Sequence, residues 1–171
     1  MTSDVLPDFN DVLSAAERVR GVARETPVLT HDALDEMAGG SLFIKAESLQ
    51  VTGSFKIRGA MNRLSQIPAD QRAAGVGAFS SGNHAQGVAR AARLLGMPAL
   101  IVMPSDAPRI KVAGVEADGG IVRLYDRETE SREEIAAQVA AERGAVVVPS
   151  FDDKDIIAGQ GTAGLEFARQ M

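Results

Sequence analysis

Residues 76–104 read VGAFSSGNHAQGVARAARLLGMPALIVMP and contain the pattern of a strand, a helix and a second strand. The run Val76–Ser80 is short and apolar, His84–Leu95 repeats small and apolar residues at helical spacing, and Ala99–Met103 is apolar again. Two strands joined through a helix pair in parallel by a right-handed crossover. The stretch therefore predicts an α/β fold whose sheet is covered on both faces.

The same alternation continues towards the C-terminus. It predicts strands over Ile121–Tyr125 and Ala145–Val148, helices over Ile110–Ala117 and Glu130–Arg143, and a last helix over Asp152–Met171. The resulting βαβαβαβ series indicates open parallel twisted sheets with flanking helices.

Upstream of this series, the pattern predicts two helices, a strand and a third helix. They span Asp8–Ala23, Asp32–Ala38, Ser41–Glu47 and Phe55–Ile67. Asp8 or Asn10 is available to cap the first helix, and Ser54 is available to cap the last.

Composition and charge exclude several classes of protein. The 171 residues include 18 Lys and Arg against 23 Asp and Glu, which gives a formal net charge of −5 and a sequence pI near 5.1. No basic face is expected, so neither nucleic acid nor an anionic membrane surface is a predicted partner. Cysteine is absent and only His31 and His84 occur, which excludes disulfides and a zinc site of Cys and His ligands.

The apolar runs are much shorter than the roughly 20 residues that a membrane-spanning helix needs. The opening residues, MTSDVLPDF, lack the basic start and apolar stretch of a secretory signal. We therefore expect a cytoplasmic protein.

The stretch Gly159-Gln-Gly161-Thr-Ala-Gly164 fits the dinucleotide-binding pattern G-x-G-x-x-G. In that fingerprint the glycines directly follow a strand, and an acidic residue comes about 20 positions later. Here the nearest predicted strand ends near Pro149, and the acidic position would lie beyond Met171. We therefore prefer close packing between helices to a nicotinamide-cofactor site.

A polar loop, Ser80-Ser81-Gly82-Asn83-His84, lies where the first strand of the series ends and a helix begins. Unpaired N–H groups at a helix N-terminus bind carboxylates and phosphates, and ligands of open α/β sheets lie at the carboxyl ends of the strands. An ordinary cap would need only Ser81 or Asn83. Five small or polar residues in a row favour an anion-binding loop.

Lys56 falls in the first turn of a predicted helix, between Gly53 and Gly59. Most single lysines are solvated surface residues. A cation at this position, however, opposes the helix dipole by about 0.3–1 kcal/mol, which favours the neutral amine. The neutral amine is the form that Schiff-base chemistry requires.

These motifs resemble those of the fold-type II pyridoxal-phosphate enzymes, within the branch of threonine/serine dehydratases and serine racemases. The resemblance depends on ESLQVTGSFKIRGA, residues 47–60, followed by SSGNHAQGVA, residues 80–89. It extends from about Thr26 to the end of the chain and includes MPSDAPRIKV, SREEIA and IAGQGTAGLE. It implies a pyridoxal 5'-phosphate cofactor and a fold like that of the tryptophan synthase β-subunit.

The resemblance also implies roles for individual residues. Lys56 matches the lysine that forms the Schiff base with the cofactor and removes the substrate Cα proton, and Phe55 would pack against the cofactor ring. Asn83 matches the asparagine that hydrogen-bonds the pyridine 3-oxygen. The residues implied to hold the substrate carboxylate are Ser80, Ser81, Asn83, His84 and Arg132.

The implied reaction removes the β-hydroxyl group and ammonia from a small amino acid, with the cofactor as electron sink. L-threonine would give 2-oxobutyrate and L-serine would give pyruvate. Ser81 resembles the serine with which racemases protonate the opposite face of the carbanion, whereas residues 148–153 resemble the dehydratases. We predict an L-threonine or L-serine ammonia-lyase, with serine racemase as the alternative.

A domain organisation follows from the resemblance. Residues 1–52 would form the N-terminal part of a large domain, residues 53–149 a small α/β domain, and residues 150–171 the return into a truncated large domain. The phosphate-binding glycine loop of the family would begin after Met171. We therefore expect the isolated 171-residue chain to be inactive or weak, and the full-length enzyme to be a homo-oligomer.

Two further expectations concern a truncated chain. It could serve as a non-catalytic homologue that binds small amino acids without turnover. Apolar side chains of its first and last helices would be exposed, among them Phe9, Leu13, Ile156, Leu165 and Phe167.

Overall fold

The computed structural model describes residues 6–171, with the backbone alone at Ala140. The helices are α1 (Phe9–Val19), α2 (Asp32–Ala38), α3 (Lys56–Ser65), α4 (Asn83–Leu94), α5 (Arg109–Ala117), α6 (Arg132–Arg143) and α7 (Lys154–Gln170). The strands are β1 (Val28–Leu29), β2 (Ile44–Lys45), β3 (Val76–Phe79), β4 (Ala99–Pro104), β5 (Ile121–Tyr125) and β6 (Val146–Val147). Within this described part, no helix is both long enough and apolar enough to cross a membrane.

Four strands form one parallel sheet in the order β5-β4-β3-β6. Val76 of β3 pairs with Ala99 of β4 on one side and with Val146 of β6 on the other. Every residue of β4 is buried, as expected for a central strand with helices on both faces of its sheet. The parallel sheet with flanking helices that residues 76–104 predict is therefore confirmed.

The strands β1 and β2 form a separate antiparallel pair, with Val28 opposite Lys45 and Leu29 opposite Ile44. The strand predicted over Ser41–Glu47 is shorter than expected, because only Ile44–Lys45 is paired. Glu47 already begins a 3-10 turn, and its carboxylate accepts a hydrogen bond from Arg58.

The helix starts agree only in part with the predicted caps. Asp8 caps α1: it accepts a hydrogen bond from the Asp11 N–H at 3.0 Å, and the Asp11 carboxylate accepts one from the Asp8 N–H at 2.9 Å. The expected Ser54 cap of α3 is wrong. Phe55 occupies the cap position, the helix begins at Lys56, and the buried Ser54 hydroxyl has no hydrogen-bond partner in the described part of the chain.

The hydrophobic core lies mainly between the sheet and the helices α3 and α4, while α6 packs on the opposite face. The α3 and α4 side chains in it include Ile57, Leu64 and Val88, all fully buried. Ile156 of α7 belongs to the same core, so the expectation that it is exposed is wrong. Phe9 is 64% exposed, as expected. The other three apolar side chains expected at the surface are half-buried: Leu13, Leu165 and Phe167.

The glycines of α7 let this helix lie directly against α3. A Cβ atom added at Gly159 would lie 2.6 Å from Gly59 Cα and 2.7 Å from the Arg58 carbonyl oxygen. The pattern Gly159–Gly164 thus lies inside a helix rather than after a strand, and its first glycine serves helix packing. This contradicts the nicotinamide-site interpretation and confirms the packing one.

A buried guanidinium ties α3 to its neighbours. Arg58 is 0% exposed, and its donors reach Glu47 Oε2 at 2.8 Å, Glu166 Oε1 at 2.7 Å and the Arg24 carbonyl at 3.1 Å. Burial disfavours the cation, but the hydrogen bonds from Arg58 to Glu47 and Glu166 outweigh that cost and raise its pKa. Nothing in the linear pattern indicated this cluster, since its members are far apart in sequence.

Candidate functional site

The candidate site lies where the N-termini of α3 and α4 meet. Lys56 is the first residue of α3, and Gly87 lies one turn into α4. A Cβ at Gly87 would be 3.1 Å from the Lys56 carbonyl carbon and oxygen, so a larger residue would have to push the Lys56 backbone away by a few tenths of an ångström. The glycine in this position brings the start of α3 next to the polar loop before α4.

The side-chain amine of Lys56 is partly removed from water. Its Nζ donates to the Ser150 carbonyl oxygen at 2.9 Å and lies 5.3 Å from the centre of the Phe55 ring. Burial lowers the pKa of Lys56. The structure thus supports the predicted shift towards a neutral amine, and it adds burial as a cause that the helix-dipole argument did not include.

Ser150 connects this lysine to the sheet. It follows β6, and its hydroxyl donates to the Phe79 carbonyl oxygen at 3.5 Å, at the end of β3. The carboxyl ends of two neighbouring strands therefore meet at the amine of Lys56. Ser150 was not among the predicted site residues, because its contact with Lys56 spans 94 positions of the chain.

The loop of residues 80–84 leaves the start of α4 without a side-chain cap. The Ser80 hydroxyl accepts from the Gly82 N–H at 3.2 Å, while Ser81 is exposed. The alternative that Ser81 or Asn83 acts as an ordinary cap is therefore wrong. Uncapped N–H groups at the start of a helix of twelve residues can bind an anionic group.

Asn83 is exposed at the first position of α4. Its Oδ1 accepts a hydrogen bond from Lys111 Nζ at 2.7 Å. Lys111 comes from α5 and was not among the predicted site residues.

His84 points away from the loop and into the core. It is 2% exposed, its Nε2 lies 3.2 Å from the Val148 carbonyl oxygen, and its Nδ1 has no partner in the described part of the chain. Burial lowers the pKa of His84 to about 4, so the ring is neutral at pH 7. A contact between His84 and a substrate carboxylate, which stays a prediction, would therefore use the backbone N–H.

Arg132 begins α6 at the same end of the sheet. Its guanidinium lies 5.3 Å from the centre of the Phe79 ring and donates to Glu133 Oε1 at 2.7 Å, with about half of the side chain exposed. Phe79 directly precedes the loop that starts at Ser80. The structure thus places Arg132 beside that loop, in contact with its base rather than with Lys56.

These residues fit a flat aldehyde cofactor and the carboxylate of an amino-acid substrate. Lys56 supplies a desolvated amine, Phe55 supplies a ring that is 41% exposed beside it, and the start of α4 supplies free N–H groups. Within residues 6–171, no group of three or more His, Asp or Glu side chains is arranged to hold a metal ion.

Comparison with known proteins agrees with this description. A family model described as pyridoxal-phosphate dependent enzyme matches residues 19–171. L-threo-3-hydroxyaspartate ammonia-lyase from a Pseudomonas species is 56% identical over 161 residues, covering 94% of this chain and 50% of that protein.

Two solved structures are also similar. Maize serine racemase superposes with a TM-score of 0.94 at 41% identity, covering 98% of this chain and 51% of that one. The T.th. threonine deaminase superposes with a TM-score of 0.86 at 45% identity, covering 96% of this chain and 52% of that one. The chain thus spans about half the length of the relatives that it matches.

Proposed function

Because the chain belongs to the family of pyridoxal-phosphate-dependent enzymes, we propose that the protein containing it is an ammonia-lyase for 3-hydroxy amino acids. The observation that carries the proposal is the half-buried amine of Lys56, 5.3 Å from the centre of the Phe55 ring and beside the uncapped start of α4. A neutral amine can attack the cofactor aldehyde, and a helix start can hold the substrate carboxylate.

Each residue of the site has a task in this proposal. When bound, pyridoxal 5'-phosphate supplies an electron sink that stabilises negative charge at the substrate Cα atom. Lys56 holds the cofactor through Nζ and, once displaced by the substrate amine, removes the Cα proton. Phe55 packs against the pyridine ring, and Asn83 donates to the oxygen attached to C3 of that ring.

The substrate carboxylate is held at the start of α4. The N–H groups of the loop and the hydroxyl groups of Ser80 and Ser81 offer donors there, and Arg132 lies beside the loop. Loss of the Cα proton and the C3 hydroxyl releases water, and hydrolysis of the remaining C=N bond releases ammonia and a 2-oxo acid.

L-threo-3-hydroxyaspartate is the substrate that we propose first, because the 56% identical relative carries that name. L-serine and L-threonine, which the motifs predict, share its 3-hydroxyl group and follow next. Hydroxyaspartate would give oxaloacetate, serine would give pyruvate and threonine would give 2-oxobutyrate.

Racemisation of serine is a second candidate function. It is favoured by the exposed hydroxyl of Ser81, which can deliver a proton to Cα, and by the similarity to maize serine racemase. A Ser81→Ala variant would lose D-serine formation and keep 2-oxo acid formation if both reactions occur.

The test uses the protein at the full length that its gene encodes. After incubation with pyridoxal phosphate, borohydride reduction and digestion, peptide masses locate the pyridoxyl adduct. We expect one dominant adduct at Lys56, lost in Lys56→Ala, together with 2-oxo acid release from at least one of the three substrates. Labelling spread over Lys45, Lys111 and Lys154 would disprove the proposed cofactor site.

An adduct at Lys56 without turnover of any 3-hydroxy amino acid would point instead to a non-catalytic binding protein. D-serine produced from L-serine without 2-oxo acid would identify a racemase. Each result thus separates the lyase proposal from one alternative.

A further inference from the structure

Lys111 on α5 has no task in the proposed function, yet it is held firmly at the start of α4. Its Nζ lies 2.7 Å from Asn83 Oδ1 and 3.0 Å from Gln86 Oε1, and the residue is half-buried. Both partners are neutral amide oxygens. Lys111 therefore donates hydrogen bonds to two side-chain amides instead of forming an ion pair with a carboxylate.

The packing between α4 and α5 keeps Lys111 in this place. Gly114, one turn further along α5, lies against the Gln86 side chain, and an added Cβ would overlap Gln86 Nε2. Glycine at position 114 thus leaves room for the Gln86 side chain in the place where its Oε1 accepts the hydrogen bond from Lys111.

A lysine ammonium group has three donors and no acceptor, so it determines which end of an amide faces it. Asn83 must turn Oδ1 towards Lys111, because its Nδ2 would place two donors against each other. The Nδ2 group then faces away from α5, and in the described part of the chain it donates to no other residue.

The face of α4 next to the one that contacts α5 is turned towards the candidate site. Asn83 and Gly87 are four positions apart and share one face of the helix, and Gly87 is the residue in contact with the backbone of Lys56. The Asn83 amide therefore stands between Lys111 on α5 and the start of α3.

We propose that Lys111 is a positioning residue, which holds the Asn83 amide so that Nδ2 donates to an acceptor oxygen of the bound cofactor. This inference rests on the proposed function. Without Lys111 the amide can turn over, and Oδ1 would then face the acceptor oxygen and repel it. Lys111 would act only through Asn83.

A double-mutant cycle tests this dependence. Lys111→Met, Asn83→Ala and the double variant are compared with the wild type in the full-length protein. The readouts are the dissociation constant of pyridoxal phosphate and the absorbance maximum of the bound cofactor, with the Lys56 adduct measured in parallel. Lys154→Met is the matched control, because Lys154 Nζ pairs with Asp11 of α1 at 3.0 Å rather than with a residue of α4 or α5.

We expect each single variant to weaken cofactor binding by roughly tenfold, the effect of losing one hydrogen bond, and to shift the absorbance maximum. The double variant should bind pyridoxal phosphate no more weakly than Asn83→Ala does. Lys111→Arg, which keeps a donor, should recover part of the lost cofactor affinity. The control should match the wild type.

Two results would overturn the inference. Fully additive effects of the two substitutions, with a normal Lys56 adduct in the wild type, would show that Lys111 acts independently of Asn83 and would leave the proposed function intact. Absence of a Lys56 adduct in the wild type would remove both the proposed function and the role of Lys111.

Discussion

His84 shows how one buried side chain makes the stability of this protein depend on pH. Its pKa is lowered to about 4 in the folded state, first by burial and further by the nearby charge of Lys56. The unfolded chain therefore binds more protons than the folded one between about pH 6.5 and 4. The contribution of His84 to the free energy of unfolding is fully present above pH 6.5 and decreases as the pH falls through this range. Below about pH 4 the protein has lost about 3 kcal/mol of stability from this residue.

Replacing His84 by glutamine should remove that loss. The Gln Nε2 group can still donate to the Val148 carbonyl oxygen but takes up no proton. We expect urea unfolding to give similar free energies for the two proteins at pH 7, and a variant more stable than the wild type at pH 4. If both proteins lost stability in parallel, the histidine would not be the group that titrates.

Individual site residues were predictable from the sequence only where their role is local. Lys56 and Asn83 lie in short motifs with a helix start, so pattern and resemblance together made them candidates, and their roles stay a prediction. Ser150 and Lys111 reach the site from other elements, 94 and 28 positions away from their partners. The prediction that Ser54 caps α3 was wrong because the first residue of a helix depends on the turn before it. Here that turn is a 3-10 turn in which Thr52 has a φ of 66°.

The contact between α3 and α7 depends on glycine at one position of α7. Gly159→Ala would place a methyl group 2.6 Å from Gly59 Cα, so the helices must separate, and we expect a loss of about 1–3 kcal/mol. Gly164 in the same helix has nothing within 4 Å of an added Cβ. Gly164→Ala should therefore stabilise the protein by about 0.5–1 kcal/mol through helix propensity.

Urea unfolding of the two variants at pH 7 measures this difference. Opposite signs are expected, since helix propensity favours alanine at both positions and only the packing differs. A Gly159→Ala variant as stable as Gly164→Ala would contradict the close approach of the two helices.

Elements of the sheet were predictable because their signals are local. Apolar runs bounded by glycine or proline mark β3 and β4, and the helical repeat between them is uninterrupted. The β1 and β2 pair was harder, because two-residue strands carry almost no periodicity. Its pairing joins positions 28 and 45, a relation that no local pattern contains.

Across the whole described chain, Arg58 connects parts that are distant in sequence. The 3-10 turn at Glu47, the segment at Arg24 and the helix α7 at Glu166 all contact one guanidinium, two residues after Lys56. A composition with 18 basic and 23 acidic residues does not reveal which of them pair inside the protein. Lys56 thus lies two residues from a buried ion cluster that only the folded structure identifies.

Arg58→Met should destabilise the fold strongly. Removing Arg58 leaves Glu47 without its counter-charge and leaves Glu166 with Lys45 alone, at 3.0 Å. Breaking a buried ion cluster in this way costs about 3–5 kcal/mol. The matched control is Arg20→Met, since Arg20 pairs with Glu17 at 2.6 Å with 74% of its side chain exposed, and such surface pairs contribute about 0–1 kcal/mol.

The cluster also predicts acid sensitivity. Burial alone would raise the pKa of Glu47 and of Glu166. The hydrogen bonds and charge of Arg58, together with a hydrogen bond from Thr26 to Glu47 and the ion pair of Lys45 with Glu166, outweigh burial and lower both pKa values. This stabilisation is therefore present above the ordinary pKa of glutamate and is lost as the pH falls through the lowered values. In urea unfolding at pH 7, the free energy of unfolding of Arg58→Met should be far lower than that of Arg20→Met. The difference between the two variants should decrease under acid conditions, where both carboxylates are protonated even in the wild type.

A difference in unfolding free energy that stayed constant with pH would mean that Arg58 stabilises the fold by packing rather than by its charge.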